Sequence, residues 1–193
     1  MNEKNDNKPM GIKIILLAMI LVININIAAA AEWTLNSDSD IAKIVWAEGE
    51  TIGYPETLLA IATIETKLGS YKKTDYGIVG DTYAVFGDRS YGLCQVKLQT
   101  ARFVLRKYPE LGTFKTDEHL LVALITDNEF NAKVGARYYR MMLDRFGNWR
   151  QALIAYNAGP GNAKKWRDPL NYADRALKVI KRNRGNGTVT KLQ

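Results

Sequence analysis

The sequence predicts a mainly α-helical domain, because apolar residues recur with a helical period in most segments between residues 40 and 181. Glycine and proline clusters divide these segments at intervals that suit ordinary helices. Residues 70–92 are the exception, since they are rich in tyrosine, glycine and aspartate and lack a helical period. They predict a long irregular loop or a small β segment, and long loops in compact domains are often functional.

Two helices are predicted before this loop. Asp38 or Ser39 caps the first helix, whose apolar residues begin at Ile41. Pro55 opens the second helix, because proline is tolerated in a first turn, and Gly69 ends it.

Five further helices are predicted after the loop. They cover residues 94–107, 117–125, 129–145, 148–156 and 171–181. Pro109 stops the first of these, Asp117 caps the second, Gly147 follows the third, and the glycine- and proline-rich run 157–161 ends the fourth. Residues 182–193 are polar and contain glycine, which predicts a disordered tail.

Residues 1–31 have the order of a secretory signal peptide: a polar start with three lysines, an apolar run over 14–23, and small residues at 28–31. A membrane anchor is the alternative, but it needs roughly 20 apolar residues, and Asn24 and Asn26 interrupt the run. Either segment would export the domain at residues 32–181, so we expect a periplasmic or extracellular location. Membrane association is expected only through an uncleaved leader.

The charge of the chain favours an anionic polymer of the cell envelope as its partner. The 193 residues carry a formal net charge of +7. Because the basic residues are scattered and cluster only over 178–184, no nucleic acid is expected. Cys94 is the only cysteine, which excludes an intramolecular disulfide.

No metal site and no cofactor are predicted. His119 is the only histidine and suits a surface or capping position at a helix start. Because this one histidine suits a surface or capping position, no Ser-His-Asp or Cys-His arrangement is expected. Cys94 lies between apolar residues, which indicates a buried small side chain rather than a nucleophile. The segment GPGNAKKW lacks the spacing of a phosphate-binding loop.

Glu65 is the distinctive acidic residue of the second helix. In a helical projection it lies near the centre of an apolar stripe, one turn from Ile61 and Leu68, whereas Thr63 and Thr66 fall on the opposite side. A carboxylate on an apolar face is costly unless it is paired or used. It could pair with an arginine or lysine of a neighbouring helix. Alternatively, it could remain protonated, since burial raises the pKa of a carboxyl group, and donate its proton to a glycosidic oxygen.

Two later segments have unusual compositions. In Ser-Tyr-Gly-Leu-Cys-Gln, residues 90–95, a glycine precedes a glutamine where backbone can approach a ligand. In Ala-Tyr-Asn-Ala-Gly-Pro-Gly, residues 155–161, a ring and an amide lie beside a helix end. Taken separately, these segments could be an ordinary loop-to-helix junction and an ordinary helix stop.

Together these segments resemble the catalytic domain of soluble lytic transglycosylases, a lysozyme-like fold related to goose-type lysozyme. The resemblance runs from about residue 40 to 180 and rests on four motifs in the family's order. They are Glu65-Thr66, Gly92-Leu93-Cys94-Gln95, Asn131 with Gly135 and Tyr139, and Tyr156-Asn157-Ala158-Gly159, followed by Trp166 and Tyr172. The sequence departs from the family in having Thr66 for serine, Cys94 for methionine, and about ten extra residues after Glu65, which carry Asp75, Asp81 and Asp88.

The resemblance implies cleavage of the β-1,4 bond between N-acetylmuramic acid and N-acetylglucosamine in peptidoglycan. Glu65 would act as general acid and then as base, giving a 1,6-anhydro product. The substrate-binding residues would be Gln95, Tyr156, Asn157, Tyr139, Gly92 and Leu93, with no metal. A hydrolase that uses an aspartate from residues 70–92, or a non-catalytic glycan-binding or assembly protein, is the alternative. A secretion, conjugation or pilus apparatus is a possible partner.

Overall fold

The computed structural model describes residues 40–70, 73–74, 77–78 and 89–187, all within the compact unit Leu35–Gln193. The prediction of a mainly helical fold is confirmed. The helices are α1 (Asp40–Glu50), α2 (Pro55–Thr66), α3 (Leu98–Lys107), α4 (Asp117–Thr126), α5 (Asn128–Phe146), α6 (Trp149–Ala158), α7 (Pro160–Lys164) and α8 (Tyr172–Gly185). A short 3-10 helix covers Pro109–Leu111.

Four short strands between α2 and α3 form two separate antiparallel pairs. β1 (Lys73–Thr74) pairs with β2 (Gly77–Ile78). β3 (Ser90–Tyr91) pairs with β4 (Val96–Lys97), so that Tyr91 lies opposite Val96. The turn between β3 and β4 carries Gly-Leu-Cys-Gln, and its placement brings that motif beside the helices.

The 19-residue helix α5 is the centre of the fold. It packs against α1, α2, α3, α4, α6 and β4. Its ends agree with the sequence, because Asp127 accepts a hydrogen bond from the Phe130 N–H at the start and Gly147 takes a left-handed conformation at the end. α8 packs across α2 and α6, which places the last helix beside the end of α2.

Several predicted helix ends are wrong by a few residues. The helix predicted from residue 94 begins at Leu98, because residues 94–97 complete the β3–β4 pair. Residues 160–164 form α7, where a break without helix was predicted. The predicted tail is helical as far as Gly185, since Asn183 is buried there and Arg184 pairs with Glu56 of α2.

Two residues that the sequence predicted to be inert behave as expected. Cys94 is fully buried, which confirms that it is a small core residue. His119 is exposed in the first turn of α4. The side chain that caps α4 is Thr116 rather than the predicted Asp117, because the Thr116 hydroxyl accepts the hydrogen bond from the His119 N–H.

The predicted leader (residues 1–31), the three aspartates of the 70–92 segment and residues 188–193 lie outside the described residues. Within the described part of the chain, none of the helices combines the length and the apolar character needed to cross a bilayer.

Candidate active site

Glu65 lies in the last turn of α2, where it is half-buried. The helix ends earlier than predicted, because Lys67, Leu68 and Gly69 take left-handed conformations with φ of 48°, 52° and 79°. The Leu68 N–H donates to the Ala62 carbonyl over 3.2 Å, which closes the helix end. The carboxyl group of Glu65 is thus at the helix terminus that carries partial negative charge.

Thr66 joins this helix end to the Gly-Leu-Cys-Gln turn. Its side chain is fully buried, although the helical projection places it on the polar side of α2. The hydroxyl donates to the Leu93 carbonyl over 2.8 Å and accepts a 3.1 Å hydrogen bond from the Gly69 N–H. A buried hydroxyl is tolerated here because it satisfies backbone groups that would otherwise lack partners.

Asn131 of α5 holds the same turn from the other side. Its fully buried amide accepts a 2.7 Å hydrogen bond from the Cys94 N–H and donates to the Tyr91 carbonyl at 3.0 Å and the Leu124 carbonyl at 2.9 Å. Gly92 lies directly against this amide with φ of 70°, and a Cβ atom at Gly92 would come within 2.0 Å of the Asn131 Nδ2. The turn therefore requires glycine for both its conformation and its packing.

Gln95 ends the turn in a left-handed conformation with φ of 49°. Its side-chain Nε2 donates to the Gly92 carbonyl over 2.8 Å, and the residue is 8% exposed. A non-glycine residue with positive φ is uncommon and tends to occur at functional sites. The amide is thus fixed in orientation by the turn that precedes it.

Tyr156 lies near the end of α6, and its hydroxyl reaches the Gly-Leu-Cys-Gln turn close to α5. Its hydroxyl donates to the Cys94 carbonyl over 2.8 Å. Gly135 of α5 allows this approach, because a Cβ atom there would lie 2.8 Å from the Cys94 Cβ and 3.1 Å from the Tyr156 hydroxyl oxygen. The ring of Tyr138 lies 5.4 Å from the ring of Tyr156, centroid to centroid.

Tyr172, the first residue of α8, contacts Glu65 directly. Its hydroxyl donates a 2.8 Å hydrogen bond to Oε1 of Glu65, and its side chain is 1% exposed. Burial raises the pKa of Tyr172 and of Tyr156 well above the usual value, and the nearby charge of Glu65 adds to both shifts. Both hydroxyls therefore remain protonated at neutral pH, and Tyr172 acts as a donor toward Glu65.

These elements enclose a cavity of about 270 Å³. Its lining combines polar and apolar surface in about equal parts and consists of Glu65, Ser90, Gln95, Val96, Lys97, Thr100, Tyr138, Tyr156, Asn157, Ala158 and Gly159. Among the described lining residues, Glu65 is the only carboxylate and Lys97 the only cation. Hydroxyl, amide and aromatic groups around a single acid provide what is needed to bind and protonate an uncharged polar ligand such as a sugar.

The structure brings together four of the predicted site residues, since Glu65, Gln95, Tyr156 and Asn157 all line the cavity. Gly92 and Leu93 are buried behind it, and their carbonyl groups accept hydrogen bonds from Gln95 and Thr66.

Tyr139 does not line the cavity. It is fully buried and packs edge-on against Tyr54 at 5.8 Å between ring centroids. Its hydroxyl forms no hydrogen bond with any residue that the structure describes.

Two tyrosines of the site were not predicted from the sequence. Tyr138 lines the cavity in place of its neighbour Tyr139. Tyr172 contacts Glu65, although the sequence separates the two by 107 positions. The sequence motifs included Tyr172 but gave it no role. Its position at the start of a predicted helix was the only local signal for one.

A comparison with known families assigns this part of the chain. Residues 46–177 match the Transglycosylase SLT domain. The chain belongs to the SLT transglycosylase domain family. The matched residues include Glu65, the β3–β4 turn, Tyr156 and Tyr172, so the whole described cavity lies inside the SLT domain.

Among solved structures, the SLT domain is similar to an inactive mutant of the lytic transglycosylase Slt from Pseudomonas aeruginosa, in which a glutamate is replaced by glutamine. The two share 23% sequence identity with a TM-score of 0.46, and the match covers 77% of this chain. It covers 22% of that chain, so this chain spans about a fifth of its length.

Proposed function

We propose that this SLT domain is a lytic transglycosylase that cleaves the β-1,4 bond between N-acetylmuramic acid and N-acetylglucosamine in peptidoglycan. The observation that carries the proposal is the position of Glu65. Glu65 lines the cavity, and its Oε1 accepts a 2.8 Å hydrogen bond from the Tyr172 hydroxyl. A general acid must be held within hydrogen-bond reach of the atom that it protonates, and a carboxyl group oriented by a hydrogen bond at the cavity supports that role.

In the proposed reaction, Glu65 first donates its proton to the glycosidic oxygen. The bond from that oxygen to C1 of the muramyl residue breaks, and positive charge develops at C1. The Glu65 carboxylate then removes the proton from the 6-hydroxyl group of the same residue. The 6-oxygen bonds to C1, which yields the 1,6-anhydro product and returns Glu65 to its protonated form.

The described lining of the cavity fits a scheme with one acid. Glu65 lies at the C-terminal end of α2, where the helix carries partial negative charge. Retaining hydrolases with two carboxyl groups hold them about 5–5.5 Å apart. No second carboxylate lines the cavity among residues 40–70, 73–74, 77–78 and 89–187.

The other predicted site residues have distinct proposed roles. Gln95, Tyr156 and Asn157 line the cavity and would bind the sugar and its N-acetyl group. Gly92 and Leu93 would act through their carbonyl groups, which hold Gln95 and Thr66 in place.

Location and partners follow from the proposed substrate. Peptidoglycan lies outside the cytoplasm, so the domain would be exported by the leader at residues 1–31. Cleavage by a domain of this size would open the wall locally, for instance to admit a secretion, conjugation or pilus apparatus. Contact with a membrane would occur only through an uncleaved leader.

Digestion of purified peptidoglycan tests the proposal. The protein and its Glu65→Gln variant are each incubated with peptidoglycan, and the soluble products are identified by mass spectrometry. We expect anhydro-muropeptides from the protein and a loss of at least about 100-fold for Glu65→Gln, because general acid catalysis contributes about 10²–10⁴-fold. Glutamine keeps the oxygen that accepts the Tyr172 hydrogen bond, so the variant should fold normally.

Other products would replace the proposal with one of its alternatives. Reducing ends instead of anhydro ends would indicate a hydrolase that uses an aspartate from residues 70–92. Binding without release of products would indicate a glycan-binding or assembly protein. Full activity of Glu65→Gln would exclude the proposed mechanism altogether.

A further inference from the structure

A second cavity lies between α3 and α5. Its volume is about 380 Å³, its surface is mainly apolar, and its lining consists of Phe103, Arg106, Lys107, Met141, Met142 and Arg145. The proposed reaction at Glu65 uses none of these side chains, so this α3–α5 groove needs an explanation of its own.

The groove continues the active-site cavity along the same two helices, which pack against each other. Thr100 of α3 and Tyr138 of α5 line the active-site cavity. Phe103 and Met141 of the groove follow them by three positions, and residues three apart are neighbours on one face of a helix. A ligand chain that leaves the active-site cavity along α3 and α5 therefore enters the groove.

The groove has an apolar floor and an aromatic wall. Met141 and Met142 are 7% and 3% exposed, so the floor is recessed. Phe103 is 42% exposed and forms the wall. The guanidinium carbon Cζ of Arg106 lies 5.8 Å from the centre of the Phe103 ring, which places the charge of Arg106 at this wall.

Three cations surround the apolar floor. Arg106, Lys107 and Arg145 are exposed, and none of them forms an ion pair with a carboxylate of residues 40–70, 73–74, 77–78 and 89–187. Burial raises the pKa of Tyr138, and the charge of Arg145 offsets part of that shift, so this charge lies near the border with the active-site cavity. The groove thus combines apolar surface with positive charge.

An anionic peptide with small apolar side chains matches this surface. Sugar rings without charged groups leave the three cations unmatched. The stem peptide attached to the lactyl group of the muramyl residue offers both free carboxylates and the methyl groups of its alanines. The length also agrees, because α3 rises roughly 10 Å from Thr100 to Lys107, which about three residues of extended peptide span.

Resting on the proposed function, we propose that the α3–α5 groove binds the stem peptide of the muramyl residue in the active-site cavity and gives this domain a preference for strands that carry peptides. The cations pair with the carboxylates of the peptide, and the methionine floor contacts its methyl groups. A membrane surface fits less well, because the floor is recessed. An acidic segment of another protein has similar chemistry, but the continuity of the groove with the active-site cavity favours the substrate.

Binding of strands with and without peptides tests the inference without turnover. The Glu65→Gln protein is titrated with peptide-bearing glycan strands, and with the same strands after an amidase has removed the peptides. We expect the peptide-bearing strands to bind about two- to tenfold more tightly at low salt, since ion pairs at exposed positions each contribute little. Adding Arg106→Gln and Arg145→Gln together should remove this preference.

A matched pair of substitutions controls for the loss of charge. Arg175→Gln with Lys178→Gln removes two exposed cations of α8 that line neither the active-site cavity nor the groove. This control variant should keep the preference for peptide-bearing strands.

The methionine methyl groups show where the peptide binds. Met141 and Met142 are the only methionines outside residues 1–31, so isotope-labelled methionine methyl groups report on the groove in NMR spectra. Met141→Leu and Met142→Leu assign the two signals. We expect both signals to shift with peptide-bearing strands and to stay in place with stripped strands.

Several results would overturn the inference. Equal affinity for both kinds of strand, no binding of either, a preference that survives the loss of both arginines, or unshifted methionine signals would each do so. Shifts caused by phosphatidylglycerol vesicles but not by strands would assign the groove to an anionic membrane, and equal shifts with an unrelated acidic peptide would assign it to acidic protein segments. Because turnover is not measured, failure to cleave peptidoglycan would overturn the proposed function but leave this test valid.

Discussion

The hydroxyl of Tyr172 donates a 2.8 Å hydrogen bond to Oε1 of Glu65 and so joins the start of α8 to the end of α2. The contact depends on the packing of α8 across α2, and Arg184 pairs with Glu56 near the other end of the two helices. The last helix of the domain is therefore part of the site, because it carries the group that orients the proposed acid.

Replacing Tyr172 with phenylalanine should lower the turnover of peptidoglycan about 10- to 100-fold, while the fold is retained. The ring would still fill its buried position, but the carboxylate that forms as Glu65 gives up its proton would lose a hydrogen bond. A hydrogen bond to a charged group is worth about 1.5–3 kcal/mol. Steady-state release of muropeptides measures the effect. Tyr54→Phe is the control, since Tyr54 does not line the cavity, and it should leave turnover unchanged. Full turnover by Tyr172→Phe would exclude the positioning role.

Replacing Gly135 with alanine should lower both stability and turnover. The added methyl group would lie 2.8 Å from the Cys94 Cβ and would push the β3–β4 turn away from α5. Overpacking of this kind costs about 1–3 kcal/mol, against a gain of up to about 1 kcal/mol in helix propensity. Chemical denaturation measures the loss. Gly185→Ala is the matched control, because nothing lies within 4 Å of a Cβ atom there, and an equal effect of both variants would refute the packing argument.

Replacing Thr66 with valine should lower the free energy of unfolding by about 2–4 kcal/mol, whereas Thr66→Ser should cost about 1 kcal/mol. Valine has nearly the same shape but leaves the Leu93 carbonyl and the Gly69 N–H without their buried partner. Serine keeps the hydroxyl group and loses only a methyl group. Urea denaturation of the three proteins distinguishes the two effects. Equal stability of the valine and serine variants would show that the hydroxyl is not needed.

The sequence predicted seven of the eight described α-helices, apart from several of their ends, and the parts of the site that lie in local motifs. Helical periodicity and the glycine at 147 predicted α5 to within one residue at each end, because both are local signals. The end of α2 was placed too late, since Lys67 and Leu68 are not residues that usually take left-handed conformations. Only the packed structure shows that the helix must end there.

The residues that the sequence could not assign are those that depend on helix packing. Tyr138 and Tyr139 are neighbours on α5, about 100° apart around the helix axis. Which ring faces the cavity depends on the rotation of α5 against α6, and local periodicity does not determine that rotation. Tyr172 reaches Glu65 only because α8 returns across α2, a long-range contact without a local signal.

Above pH 10 the protein should lose stability steadily because of its buried tyrosines. Burial raises the pKa of Tyr139 to about 12, so the folded protein binds this proton more tightly than the unfolded chain, in which the pKa is about 10. Unfolding therefore releases a proton in this range, and the free energy of unfolding falls as the pH rises.

For Tyr139 the fall should be about 1.4 kcal/mol per pH unit between pH 10 and pH 12. Tyr156 and Tyr172, whose pKa values are also raised, should steepen it. Urea denaturation at a series of pH values gives the slope. Tyr139→Phe should remove the contribution of one proton to the slope of the free energy of unfolding against pH. It should leave peptidoglycan turnover at neutral pH nearly unchanged, because the Tyr139 hydroxyl is buried away from the cavity. An unchanged slope would show that the pKa of Tyr139 is not raised by folding. A large loss of turnover would show that Tyr139 takes part in the site, as the sequence predicted.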